Sequence, residues 1–95
     1  MNTIINTAKF TADEKLEQFI NEKVSKLDRM IDRAVKCEVF LKIDKPESEN
    51  NKIAEMRLYV PGNDLFDTKQ ADSFEQAVTE CIDAMKVQIE KYKGK

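Results

Sequence analysis

Lys86, Lys91, Lys93 and Lys95 close a stretch, Asp72 to Lys95, whose first half holds only acidic charges. Ammonium groups gathered at this density, with Tyr92 among them, do one kind of chemistry well. They hold anions, phosphate oxygens above all, through charge and without covalent steps. Part of the pattern is helix stabilisation, since acid at a helix start and base at its end complement the macrodipole. The lysines nevertheless continue to Lys95 in a chain whose net charge is −2. A basic patch kept within an acidic chain points to a surface that meets an anionic partner.

Other chemistries find little support. The sequence has no histidine, so the commonest general base and metal ligand is missing. Cys37 and Cys81 lack the spacing of a zinc site. Gly62 and Gly94 are the only glycines, too few for a loop that cradles phosphates. The carboxylates are spread along charged faces. No enzyme activity, metal, cofactor or small-molecule substrate is expected.

A second set of cations lies in an earlier segment. With Leu16 at zero and about 100° per residue, Lys15, Lys26, Arg29 and Arg33 fall on one helical flank. Glu14, Glu17, Asp28 and Asp32 fall on the opposite flank. Glu22 interrupts the basic row, and Lys23 lies at the edge of the apolar stripe. Scattered i,i+4 pairs would mix the signs around the helix, and here they are largely sorted. On the last helix Lys86 and Lys93 share one flank, Lys91 and Lys95 the other, and Val87 faces solvent. Helices packed side by side would bring Lys23, Lys26 and Arg29 near Lys86 and Lys93, a stripe wide enough for several phosphates.

The elements that position these residues are legible from periodicity. Residues 2–9 read as a short strand. Thr11-Ala12-Asp13-Glu14 has capping-box spacing, and Leu16, Phe19, Ile20, Val24, Leu27 and Ile31 form the stripe of a helix running to about Asp32. Val35, Cys37, Val39, Leu41 and Ile43 alternate with more polar neighbours as a strand with one buried face. Residues 45–51 form a polar loop, followed by an alternating strand through Ala54, Met56, Leu58 and Val60. Pro61-Gly62 suits a type II turn, and Leu65 to about Gln70 is a third strand of this run. Asp72 or Ser73 caps a final helix whose buried stripe is Phe74, Ala77, Val78, Cys81, Ile82, Met85, Ile89 and Tyr92. The order is β-α-β-β-β-α, an α+β fold with a four-stranded sheet and two helices packed on one face. The open face would carry Lys42, Glu55 and Arg57, with Phe40 and Tyr59 as apolar exceptions.

Bulk properties agree with one domain over residues 1–95. The chain is 41% hydrophobic and 36% charged, as expected of a globular protein with a heavily charged exterior. No window resembles a membrane span or a signal peptide, so a cytoplasmic location is expected. Each cysteine sits among apolar residues and is expected to be a buried free thiol.

The element order, the segments Glu22–Arg29 and Val39–Ile43, and the run from Asp72 to Lys93 resemble the short ribosome hibernation promoting factors. That family includes ribosome-associated inhibitor A and carries the older name sigma-54 modulation proteins. The resemblance spans essentially the whole chain and rests on order and spacing. It implies a fold like a double-stranded RNA-binding domain with an extra first strand. It also implies binding to the small ribosomal subunit and its ribosomal RNA, in the channel for messenger and transfer RNA, with translation silenced in stationary phase or stress. Carried over by position, the RNA-binding residues would be Lys23, Lys26 and Arg29 on the first helix and Lys86, Lys91 and Lys93 on the last. Many relatives are basic overall, whereas this chain is slightly acidic and has Ala84 and Val87 where relatives can carry cations. A C-terminal dimerisation domain, present in long relatives, is not expected. The competing reading is a small protein-binding adaptor or transcription modulator without RNA contact.

Overall fold

A computed structural model describes residues 1–94. Its elements are β1 (Asn2–Thr7), α1 (Glu14–Asp28), β2 (Lys36–Ile43), β3 (Lys52–Val60), β4 (Asn63–Ala71) and α2 (Phe74–Lys93). The strands lie in the order β1-β2-β3-β4. β1 pairs parallel with β2, and the other pairs are antiparallel. This is the expected β-α-β-β-β-α fold. Both helices cover one face, and α1 and α2 pack against each other.

The core is the sum of the periodic faces. Cys37, Val39 and Leu41 from β2 and Ala54, Met56 and Leu58 from β3 are fully buried. They meet Ile20, Val24 and Leu27 of α1 and Val78, Ile82, Met85 and Ile89 of α2. Strand alternation and helical stripe thus solve one problem together, since each supplies one apolar surface to the other. Phe10 and Phe74 stack with centroids 4.9 Å apart, joining the segment before α1 to the start of α2. Among the described residues no helix is long and apolar enough to cross a membrane.

Several boundaries differ from the sequence expectation. α1 is capped by Asp13 and not by Thr11: the Asp13 carboxylate accepts from the Leu16 backbone N–H at 2.8 Å. Glu14 then becomes the first helical residue, and its carboxylate accepts from the Gln18 side chain, so the Thr11–Glu14 box does not form. The helix ends at Asp28, before the expected Asp32. The Met30 N–H donates to Leu27 at 2.9 Å, and this tightened turn closes the helix. Ile31 still reaches the core from that turn. β1 stops at Thr7, and Lys9 adopts a φ of 66° as the chain leaves the sheet. Val35 and Ile43, the outer members of the β2 alternation, are exposed, because they lie at the ends of the strand where the helices no longer cover it. β4 extends past its expected bounds on both sides.

Other local readings hold. Gly62 turns with a φ of 79° in the link from β3 to β4, the conformation glycine adopts without steric cost. Ser73, not Asp72, caps α2 by accepting from the Gln76 N–H at 3.1 Å. The Gln76 side chain goes forward to Glu80, so only half a capping box is made. Both cysteines are buried and free. Burial, then the charge of Glu38, pushes the Cys37 thiol from 9.0 up to about 12. Burial, then the charge of Asp67, raises Cys81 to about 12 as well.

Candidate nucleic-acid interface

Chain direction brings the cations together. The Met1 amine lies 3.7 Å from Asp28, tying the end of α1 to the start of β1. The Tyr92 hydroxyl donates to the Pro61 carbonyl at 2.9 Å, tying the end of α2 to the β3–β4 turn. Asn2 pairs with Lys36, and Lys36 with Tyr59. Both helices therefore run opposite to β1, and their C-terminal ends share one end of the molecule. Lys26, Arg29, Lys91 and Lys93 are gathered there, while Asp13, Glu14, Glu17 and Glu75 sit at the N-terminal ends of the helices. Each helix end thus carries the charge that its dipole favours.

Flank assignments follow from the same contacts. Gln88 donates to the Phe66 carbonyl at 2.7 Å, and Lys91 lines a shallow groove with Asn63, Leu65 and Tyr92. Lys91 is therefore on the β4 side of α2. Lys86 and Lys93 lie on the other flank, turned from β4. On α1, Asp28 marks the flank near Met1, and Lys26 lies on the flank turned from it. The position of Lys95 lies outside the described residues.

Individual exposures differentiate the six candidates. Lys26, Arg29, Lys91 and Lys93 are exposed, while Lys23 and Lys86 are half-buried. The Lys23 ammonium sits 5.3 Å from the centre of the Phe19 ring, so its stem covers apolar surface as its edge position implied. Arg29 is the residue that ends α1 and not a member of its last turn. Arg33 and Asp32 lie beyond the helix, in the connection to β2, so helical angles do not apply to them. The sorted charge of α1 therefore rests on Lys15 and Lys26 against Glu14, Glu17 and Asp28. Among the described residues none of the six forms an ion pair; the pairs are Met1–Asp28, Lys42–Glu55, Arg57–Asp64 and Lys69–Asp67.

The model of one family, described as "Sigma 54 modulation protein / S30EA ribosomal protein", matches residues 3–95. The chain belongs to this family. No curated protein matches it. Among solved structures, a ribosomal subunit interface protein from Coxiella burnetii is similar with a TM-score of 0.90 at 18% identity, covering 100% of both chains. The N-terminal domain of Protein Y from Thermus thermophilus has a TM-score of 0.82 at 17% identity, covering 97% of this chain and 99% of that one. At these identities the likeness shows a shared fold.

The open sheet face of this S30EA family member has a different character. The Lys42 ammonium is 3.0 Å from Glu55, and Arg57 is 3.6 Å from Asp64 while lying 5.1 Å from the centre of the Phe66 ring. Lys36 lies 4.6 Å from the centre of the Tyr59 ring. The Tyr59 hydroxyl donates to Glu38; that bond first, then burial and the charge of Glu38, pushes its pKa above the ordinary value. Phe40 and Tyr59 face outward here as the alternation of β2 and β3 indicated. Phe66 and Ile4 were missed. Alternation from Leu65 would have placed Phe66 outward, but inward Asp67 and Lys69 break the apolar pattern of β4. That inward charged pair is a device that discourages edge-to-edge pairing of an outer strand.

Proposed function

We propose that this protein binds the small ribosomal subunit through its helix layer, contacting ribosomal RNA in the channel for messenger and transfer RNA, and thereby silences translation under stress or in stationary phase. The carrying observation is the contrast in charge state: cations at the shared C-terminal ends of α1 and α2 have no ion-pair partner among the described residues, in a chain that is acidic overall. Unpaired surface cations release condensed counterions when they meet phosphates. Cations already paired gain less. Membership of the S30EA family supports a ribosomal partner, and the name of the Coxiella structure, a ribosomal subunit interface protein, agrees with it.

Lys26, Arg29, Lys86, Lys91 and Lys93 are the RNA contacts in this reading, with Lys23 contributing from the edge of the apolar stripe. Phosphate contacts position a protein on RNA without reading sequence, so inhibition is by occupancy and involves no bond-making. A cytoplasmic location follows from this role. Co-sedimentation of the full chain with purified small subunits at rising salt tests the reading. Binding that weakens steeply with salt and is competed by transfer RNA is expected. No sedimentation with the small subunit at low salt would overturn it.

A further inference from the structure

Three aromatic rings stand on the open sheet face, and two of them already hold a cation. Lys36 lies over Tyr59 and Arg57 over Phe66. Phe40 has none among the described residues. It is half-buried and sits directly between Asn6 of β1 and Glu55 of β3 in the strand register. A cavity of about 200 Å³ opens there, lined by Asn6, Glu38, Phe40, Glu55, Arg57 and Phe66.

The carboxylates around this cavity are not all engaged in ion pairs. Glu55 is compensated by Lys42 and Arg57 by Asp64. Glu38 accepts the Tyr59 hydroxyl but has no ion-pair partner among the described residues. One carboxylate outside any ion pair, opposite Arg57 in the register, therefore stands beside the ring that carries no cation. A carboxylate and an aromatic face together suit a planar guanidinium, which stacks and donates hydrogen bonds at once. A nucleic-acid backbone finds the opposite conditions, a net negative cavity rimmed by cations that are already engaged.

We propose that this cavity is a docking site for an arginine of an extended basic segment on a partner protein, its guanidinium on the Phe40 ring and against Glu38. The site is on the face opposite the helices, so it leaves the helix layer free, and it does not depend on the RNA-binding reading.

The test is an NMR titration of the full isotope-labelled chain with a short Arg-Gly repeat peptide, and separately with a single-stranded oligoribonucleotide. The peptide should shift resonances of Asn6, Glu38, Phe40 and Glu55. Glu38→Gln, which keeps an acceptor for Tyr59, should weaken the peptide about fivefold, in line with loss of one partly screened charge contact. Phe40→Leu keeps the apolar bulk and should cost about threefold, the scale of one exposed cation–π contact. Lys26→Glu should leave peptide affinity unchanged, which separates this site from the helix layer. An unaltered affinity in Glu38→Gln, peptide shifts confined to the acidic flank of α1, absence of shifts with the peptide, or shifts at Phe40 with the oligoribonucleotide alone would each overturn the proposal.

Discussion

The helix layer and the open sheet face both display cations, but in two different states. On the sheet face Lys42 and Arg57 are held by carboxylates, and Lys36 and Arg57 lie over rings. On the helices Lys26, Arg29, Lys91 and Lys93 extend to solvent with no ion-pair partner among the described residues, at one end of the molecule. The difference has a structural cause. Strand register sets Lys42 one diagonal step from Glu55 and Arg57 one diagonal step from Asp64 on the same sheet face, so these opposite charges meet across the strands. On α1, in contrast, Glu14, Glu17 and Asp28 lie on the flank away from Lys26, and Glu22, which shares its flank, forms no ion pair with it among the described residues. Net charge alone, which is −2, conceals this division. A slightly acidic protein can present a basic surface when its acids are placed elsewhere.

Breaking the division on the helix side should have the largest effect. Lys26→Glu with Lys86→Glu should weaken small-subunit binding about a hundredfold, from the loss of two phosphate contacts and the addition of repulsion. The circular dichroism spectrum should be unchanged, since neither side chain is fully buried. If the double variant sediments with the subunit like the parent, the helix flank is merely a solvated surface.

The platform beneath both faces should show itself in the thiols. Cys37 and Cys81 should react with a thiol reagent at least about tenfold more slowly in the native protein than in denaturant, because burial disfavours the thiolate. The same shift sets a pH dependence. In the unfolded chain the thiols ionise near 9.0, whereas burial in the folded protein pushes this up to about 12. The unfolded state therefore loses protons first, and their contribution to stability, whole below pH 9.0, falls as pH rises toward 12. A denaturation midpoint that does not decline across this window would contradict the buried placement of both groups.

A smaller effect is expected at the cap of α1. Asp13→Ala should cost about 1 kcal/mol in stability, the usual value of an N-cap. Thr11→Ala should cost much less, as its hydroxyl is not the cap; urea melts of the two variants compare them. The smallest effect belongs to the sheet face. Lys42→Gln with Arg57→Gln should change ribosome binding by no more than about twofold, because paired cations on the opposite face release few counterions. A loss comparable to that of the helix variant would erase the contrast between the two surfaces.

Periodicity made the architecture legible but left the ends of elements open. Leu16, Ile20, Val24 and Leu27 announce α1 because burial imposes a repeat on the sequence. Nothing comparable marks Asp28 as the last residue. The stripe continues to Ile31, which is buried through a turn instead of a helix, so the apolar pattern outlives the structure that generated it. Thr11 and Asp13 both offer a capping oxygen, and only the path of the chain from Phe10 into α1 chooses between them. Asn51 shows the converse: it lies in a segment read as a polar loop, yet it is buried and its amide donates to the Lys45 carbonyl at 2.9 Å to close that loop.

The candidate interface was legible as a set of residue types, and the resemblance to hibernation factors supplied the individual positions. What sequence alone did not supply was which cations are engaged. Pairing depends on strand register and on the shared direction of the helices, both long-range properties. For Phe66 the signal existed but was overridden by the inward charges of Asp67 and Lys69.

The central claim is that unpaired cations on the helices, and not paired ones on the sheet, meet ribosomal phosphates. It is tested most directly by the salt dependence of small-subunit binding for three proteins: the parent, Lys26→Gln with Lys86→Gln, and Lys42→Gln with Arg57→Gln. The account predicts that the slope of log affinity against log salt falls by roughly 0.7 to 0.9 per lost contact in the helix variant, so by roughly 1.5 in total. It predicts an unchanged slope in the sheet variant. Equal slopes for parent and helix variant, or a reduced slope in the sheet variant alone, would contradict it.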